Sequence, residues 1–172
     1  DSGMIYVPHR LAQLLLDEAL VKKLNDNPRT TAFILAAGNT HFAGINPKDA
    51  KPTCLTYDFK LLPFTLNQVY AGRMAQALGA NDLVMTDASA CASSLKVMTD
   101  VINLIEYQGF DRVIVLSVED AVSNVVLEFF GEAKASLTKV QEDQGIRPSA
   151  FDNNNFGFRL AQGAVLAVFE SE

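Results

Sequence analysis

Apolar residues along this chain fall into short blocks that alternate between two periods. Residues 31–37 (Thr-Ala-Phe-Ile-Leu-Ala-Ala), 83–85 (Leu-Val-Met) and 112–118 (Arg-Val-Ile-Val-Leu-Ser-Val) are near-continuous apolar runs bounded by polar or glycine positions. That is the pattern of strands buried on both faces of a parallel sheet. Residues 163–170 alternate into a last strand. Between these runs the apolar positions step by three and four, the mark of a helix with one buried face. Residues 8–24 place Leu11, Leu14, Leu15, Leu20 and Leu24 on one stripe, after a proline suited to a helix start. A helix from an N-cap at Thr65 to Leu78 would turn Leu66, Val69, Tyr70 and Met74 inward and stop at Gly79. Another over residues 91–108 carries Leu95, Met98, Ile102 and Ile105 as its inward stripe and stops at Gly109. A short helix is expected over 121–130, ended by Gly131, and a polar surface segment over 132–145. Strands that alternate with helices predict a layered α/β sheet. Residues 39–63 hold three of the six prolines and no periodicity, a length of loop usually tied to function or an interface.

Composition narrows the class. The chain has 172 residues, 49% hydrophobic and 20% charged, which suits one folded domain rather than a disordered segment. A formal charge of −6 argues against nucleic-acid binding, which needs a basic face. No apolar run approaches the length of a membrane span, so no membrane partner is expected. The start, Asp1-Ser2-Gly3-Met4, shows no secretory leader and, lacking an initiator methionine, suggests a fragment. The two cysteines, Cys54 and Cys91, make no disulfide framework, and a cytoplasmic protein is expected. There is no internal repeat, no phosphate-binding glycine loop and no metal-ligand spacing, so neither cofactor nor metal is expected.

Candidate chemistry gathers at Cys91. It lies between an apolar strand and an apolar helix, among Ala88, Ser89, Ala90, Ala92, Ser93 and Ser94. The first turn of a helix carries unpaired N–H groups and the positive end of the dipole, which favour a thiolate nucleophile. Small neighbours leave room for a carbonyl substrate. Packing is the alternative, because cysteine is among the most buried residue types. Cys54 reads as an ordinary thiol, and Ser89, Ser93 and Ser94 as packing or capping residues. His9 falls at a helix start and His41 beyond a strand exit, where α/β sites gather.

The stretch Asp87-Ala88-Ser89-Ala90-Cys91-Ala92-Ser93-Ser94-Leu95 resembles the active-site signature of the β-ketoacyl synthases, the condensing enzymes of fatty acid and polyketide synthesis. Arg147-Pro148, Phe151-Asp152, Gly157-Phe158 and Gly163-Ala164 resemble that family's second glycine-rich region, and Tyr70-Ala71-Gly72-Arg73 its segment upstream of the nucleophile. Departures accompany the match. Asn155 and Phe156 stand where the family has arginine and aspartate; Ala161-Gln162 replaces a glycine and a glutamate; Ser149 and Ala150 are inserted.

The resemblance implies a thiolase-like layered α/β/α half with a mixed, mainly parallel sheet. The family joins two such halves, each of five strands, and draws two catalytic histidines from the second. It therefore implies that residues 1–172 are part of the first half, without its central first strand or the second half. Its activity would be a decarboxylating Claisen condensation. Cys91 would be nucleophile and backbone oxyanion donor, with Gly157 and Phe158 near the substrate. Acyl carrier protein would be the partner, met by Lys48, Lys51 and Lys60 if these are more than a solvated loop, and the chain would form a homodimer through residues 83–87. A non-catalytic partner subunit and a thiolase-type acyltransferase are the alternatives. Without the histidines, the 172 residues alone are expected not to condense.

Overall fold

A computed structural model describes residues 15–38, 66–120, 122, 124–137, 139–148, 151, 153 and 157–172. In chain order these residues form α1 (Glu18–Asp26), β1 (Thr31–Ala36), α2 (Asn67–Ala77), β2 (Leu83–Asp87), α3 (Ser93–Gln108), β3 (Arg112–Asp120), α4 (Asn124–Glu132), α5 (Lys139–Asp143) and β4 (Gln162–Glu170). The strands make an open sheet in the order β2-β1-β3-β4. β1 runs parallel to β2 and β3, and β4 closes one edge antiparallel to β3. Mixed and mainly parallel, this is the sheet that the family resemblance implies.

All six residues of β1 are buried, as a strand with neighbours on both edges and helices on both faces must be. Phe33 and Leu35 of β1, with Ile114, Leu116 and Val118 of β3, pack under Tyr70, Ala71, Met74 and Ala75 of α2 and Leu24 of α1. On the other face Ala32, Ile34 and Ala36, with Val113 and Val115, meet Val97, Val101 and Leu104 of α3. Three layers result.

Several expectations shift. The helix foreseen over 8–24 does not run through the described part of that span: Leu15 is in a turn, and α1 begins after Asp17, whose carboxylate accepts the Ala19 N–H as an N-cap. Asp17 favours capping over a helix interior, which breaks the run. α2 begins at Asn67 after Leu66, which is exposed rather than inward; Thr65 lies outside the described residues. Gly79 does end α2, with a φ of 67° and the Ala80 N–H donating to the Ala75 carbonyl. Gly109, at φ 76°, ends α3 in the same way. Gly131 falls inside α4 rather than ending it, and the polar segment foreseen over 132–145 contains α5.

The largest shift is in α3. It carries two apolar stripes, and the sheet takes the one formed by Val97, Val101 and Leu104. Leu95 and Ile102, expected inward, are 77% and 52% exposed, while Met98 and Ile105 sit at the margin of the core. The turn before the helix fixes its rotation. Buried Ser93 donates its hydroxyl to the Ala90 carbonyl, and Val97, Val101 and Leu104 follow Ser93 down the same face.

Among the described strands β1 and β3 are direct neighbours. β1 pairs directly with β3 from Thr31 opposite Arg112 to Ala36 opposite Ser117, satisfying the backbone groups that a gap would have left bare. The sheet has four described strands where the resemblance implies five.

Arg112 locks the end of the sheet away from the candidate nucleophile. It is 3% exposed, donates to Glu170 of β4 at 2.8 Å, and donates to the carbonyls of Leu24 and Asn27 at the end of α1, each at 3.2 Å. The Arg112 hydrogen bond holds the Glu170 carboxyl below its ordinary 4.5. This contribution is therefore complete above pH 4.5 and is lost as pH falls through the depressed value. Arg112→Met is expected to cost about 2–3 kcal/mol in urea unfolding, because it leaves buried carbonyls unpaired. The loss should shrink in acid, where Glu170 is protonated; a variant as stable as the parent at pH 7 would refute the lock.

Candidate active site

The parallel strands β1, β2 and β3 all end at one edge of the sheet, so the residues that follow them meet there. Asp87 ends β2 and is 8% exposed. Its carboxylate accepts the Ser89 N–H at 2.9 Å and pairs with Lys96 of α3 at 2.7 Å. Burial pushes this carboxyl up, but the Lys96 and Ser89 hydrogen bonds outweigh it and hold the group below its ordinary 3.8. Lys96 is held above its ordinary 10.5, chiefly by its hydrogen bond to Asp87 and then by that to Asp100. The Asp87 contribution is complete above pH 3.8 and lost as pH falls below it; that of Lys96 is complete below pH 10.5 and lost as pH rises beyond it. Across the neutral range the pair is intact and ties the strand end to the helix.

Residues 90–92 form a single 3₁₀ turn leading into α3, so Cys91 precedes the helix proper rather than opening it. Ala90 has a φ of 51°, a left-handed conformation that costs a residue with a Cβ about 1–2 kcal/mol. Strain of this kind persists where surrounding contacts enforce it. Here the Ala92 N–H donates to Ser89, the Ser93 N–H and hydroxyl to Ala90, and the Ser94 hydroxyl to Ser117 of β3. The Ala37 N–H donates to the Asp87 carbonyl and keeps β1 beside the turn. Cys91 is thereby held exposed at the sheet edge. Its N–H lies outside the turn's own hydrogen bonds, which start with Ala92. An exposed thiol beside an amide that no described residue accepts from can attack a carbonyl and offer a hydrogen bond to the oxyanion that forms.

Gly157 and Phe158 occupy a different part of the molecule's wiring. Phe158 donates its N–H to the Ala135 carbonyl, bridges to Ser136 and meets the Phe130 ring edge-on at 5.2 Å. Gly157 has a φ of 62°, and a Cβ there would lie 2.6 Å from the Ala135 carbonyl oxygen, so glycine is required on both counts. The pair thus anchors the chain leading into β4 against the segment after α4. His9, His41, Cys54, Lys48, Lys51 and Lys60 lie outside the described residues, as do the departures at Ser149, Ala150, Asn155 and Phe156. Among the described residues no cluster of His, Cys, Asp or Glu could hold a metal.

The sequence patterns point to Cys91 but not to Lys96, nor to Gly38 and Glu119. Gly38 follows β1, and a Cβ on it would stand 2.6 Å from the Glu119 carboxylate and 3.5 Å from Ala90. Such contacts join residues far apart in the chain, and only the glycine at a strand exit gave any local sign.

Two substitutions test the turn. Ala90→Gly is expected to leave stability unchanged or raise it by up to about 1 kcal/mol in thermal unfolding. A clear loss would mean that position 90 is not left-handed. Asp87→Ala is expected to cost about 1–2 kcal/mol and to slow alkylation of Cys91 by loosening its turn. An unchanged alkylation rate would show that the Asp87 contacts do not hold Cys91.

Comparison with known proteins agrees with this fold. Residues 9–172 match the family model of the β-ketoacyl synthase N-terminal domain. A mitochondrial protein of Schizosaccharomyces pombe described as a putative 3-oxoacyl-[acyl-carrier-protein] synthase is 27% identical over 100 residues, covering 58% of this chain and 24% of its own. The ketosynthase of module 6 of the bacillaene synthase from Bacillus subtilis 168 superposes with a TM-score of 0.61 at 18% identity, over 88% of this chain and 23% of its own. The ketosynthase FabY of P. aeruginosa superposes with a TM-score of 0.63 at 21% identity, over 90% and 26%. This chain spans about a quarter of the length of each of these relatives. No helix among the described residues is long and apolar enough to cross a membrane. The mixed sheet and the family match across nearly the whole chain lead to one conclusion: the chain belongs to the β-ketoacyl synthase N-terminal domain family.

Proposed function

We propose that the chain supplies the acyl-accepting cysteine of a β-ketoacyl-acyl carrier protein synthase. The observation that carries this reading is the exposed Cys91 on a strained strand–turn–helix junction, with its own N–H outside the turn's hydrogen bonds. The Cys91 sulfur bonds to the carbonyl carbon of an acyl thioester on acyl carrier protein. The carrier's C–S bond breaks, and its thiol leaves with the proton that Cys91 gives up. The Cys91 N–H donates to the oxyanion during this step. A malonyl thioester then loses CO₂, and its carbanion bonds to the acyl carbon as the bond to Cys91 breaks. The product is a β-ketoacyl thioester. Gly157 and Phe158 serve the substrate pocket in this scheme by shaping its wall.

These residues supply the first half of the chemistry. Stabilising the enolate needs further donors, which the family resemblance places in a second α/β half. Leu95 and Ile102 of α3 give that half an apolar face to cover. β2 is an edge strand among the described residues, and pairing with the same strand of a second copy would cover it and make a homodimer.

The test is acyl loading of the whole protein from radiolabelled acyl-carrier protein. Label should be retained on the Cys91 peptide, and Cys91→Ala should abolish both loading and condensation. Loading that survives Cys91→Ala would sink the assignment. The isolated 172 residues should show no β-ketoacyl product, because loss of one oxyanion donor alone typically costs about 10²–10³ in rate. Product from that piece would show that the second half is dispensable.

A further inference from the structure

We propose that Gln68 is a latch on the free edge of β2 that sets how strongly two copies of the chain pair. Its side-chain amide holds a carbonyl that the second copy's strand needs, so pairing must displace it. This rests on the homodimer reading above. The Ala37 N–H donates to the Asp87 carbonyl at 3.0 Å, and Ala36 lies opposite Asp87 in the ladder. Along a strand the backbone groups turn alternately to one side and the other. Leu83, Met85 and Asp87 therefore commit their backbone groups to β1, and Val84 and Thr86 turn theirs to the edge that is open among the described residues. The Gln68 amide, from the first turn of α2, donates to the Val84 carbonyl at 3.1 Å.

The edge is suited to a second copy of itself. Antiparallel pairing about a two-fold axis at Met85 sets Val84 of each copy opposite Thr86 of the other. These pairs use both the N–H and the carbonyl of Val84 and Thr86 in each copy, so no outward group of these residues is left bare. Half of the resulting bonds run from a Thr86 N–H to a Val84 carbonyl, the acceptor that Gln68 already holds. Each copy thus gives up one side-chain bond to gain one strand bond there. An edge with unpaired groups is a template for any extended chain, and a side chain laid across it raises the threshold for joining. Gln68 is exposed, so its amide can exchange the carbonyl for water without disturbing the core.

The experiment measures the dimer dissociation constant of the whole protein by fluorescence-detected sedimentation over a dilution series. Gln68→Met keeps the length of the side chain and removes the donor; it should tighten the dimer about fivefold. Gln68→Ala should do the same. Thr86→Pro removes the N–H that the Val84 carbonyl would accept in the pair, yet takes nothing from the β1 ladder, because that N–H points outward. It should weaken the dimer, and adding Gln68→Met to it should bring no gain. A side chain that only steadied the fold would lower the melting temperature in Gln68→Met and leave the dissociation constant alone. A dissociation constant that Gln68→Met leaves unchanged or raises overturns the proposal, as does a gain that survives Thr86→Pro. A parent that stays monomeric at every concentration overturns the homodimer reading together with the latch, whereas a dimer indifferent to Gln68 overturns the latch alone.

Discussion

The six residues of β1 are buried on both faces and paired along both edges, so the positions of every other described strand are set relative to them. Such a strand cannot shift register without exposing Phe33, Ile34 and Leu35 or unpairing two ladders at once. Asp82 reinforces the register from below by accepting the Thr31 N–H at 2.7 Å, and Asp111 accepts the Thr30 N–H beside it. At the opposite end the same register delivers Gly38, the Cys91 turn and the end of β3 to one place. The geometry of the site is thus a consequence of sheet pairing, before any side chain of the site is considered.

What the sheet delivers, the turn then sharpens. A left-handed Ala90 is an unfavourable local choice, offset by Asp87, Ser93 and Ser94, each of which contributes a hydrogen bond around it. The result is a cysteine pushed out of the core at a position whose neighbours are otherwise small enough to be buried. This explains why Cys91 is exposed although free cysteine usually packs inside. Charge follows the same logic. Asp87 lies nearly buried at the strand end and is tolerable there because Lys96 neutralises it from the solvent side.

The apolar surface that the fold leaves bare is as informative as its core. Leu95 and Ile102 continue a helix whose other face already fills one side of the sheet. An amphipathic helix has one apolar stripe; this one has two, and the described residues cover one.

The sequence alone determined the strands, because near-continuous apolar runs leave few other options, and it located Cys91 through the small residues flanked by a strand and a helix. Gly79 and Gly109 ended their helices as expected, since left-handed termination is a local property. Which face of α3 turned inward was decided by tertiary structure. Both stripes are apolar, and only the Ser93–Ala90 contact and the fit against Ala32, Ile34 and Ala36 separate them. The direct pairing of β1 with β3, the Asp87–Lys96 pair and the meeting of Gly38 with Glu119 likewise join residues distant in the chain. Local periodicity carries no record of such contacts, because they exist only once the sheet has set its strand order.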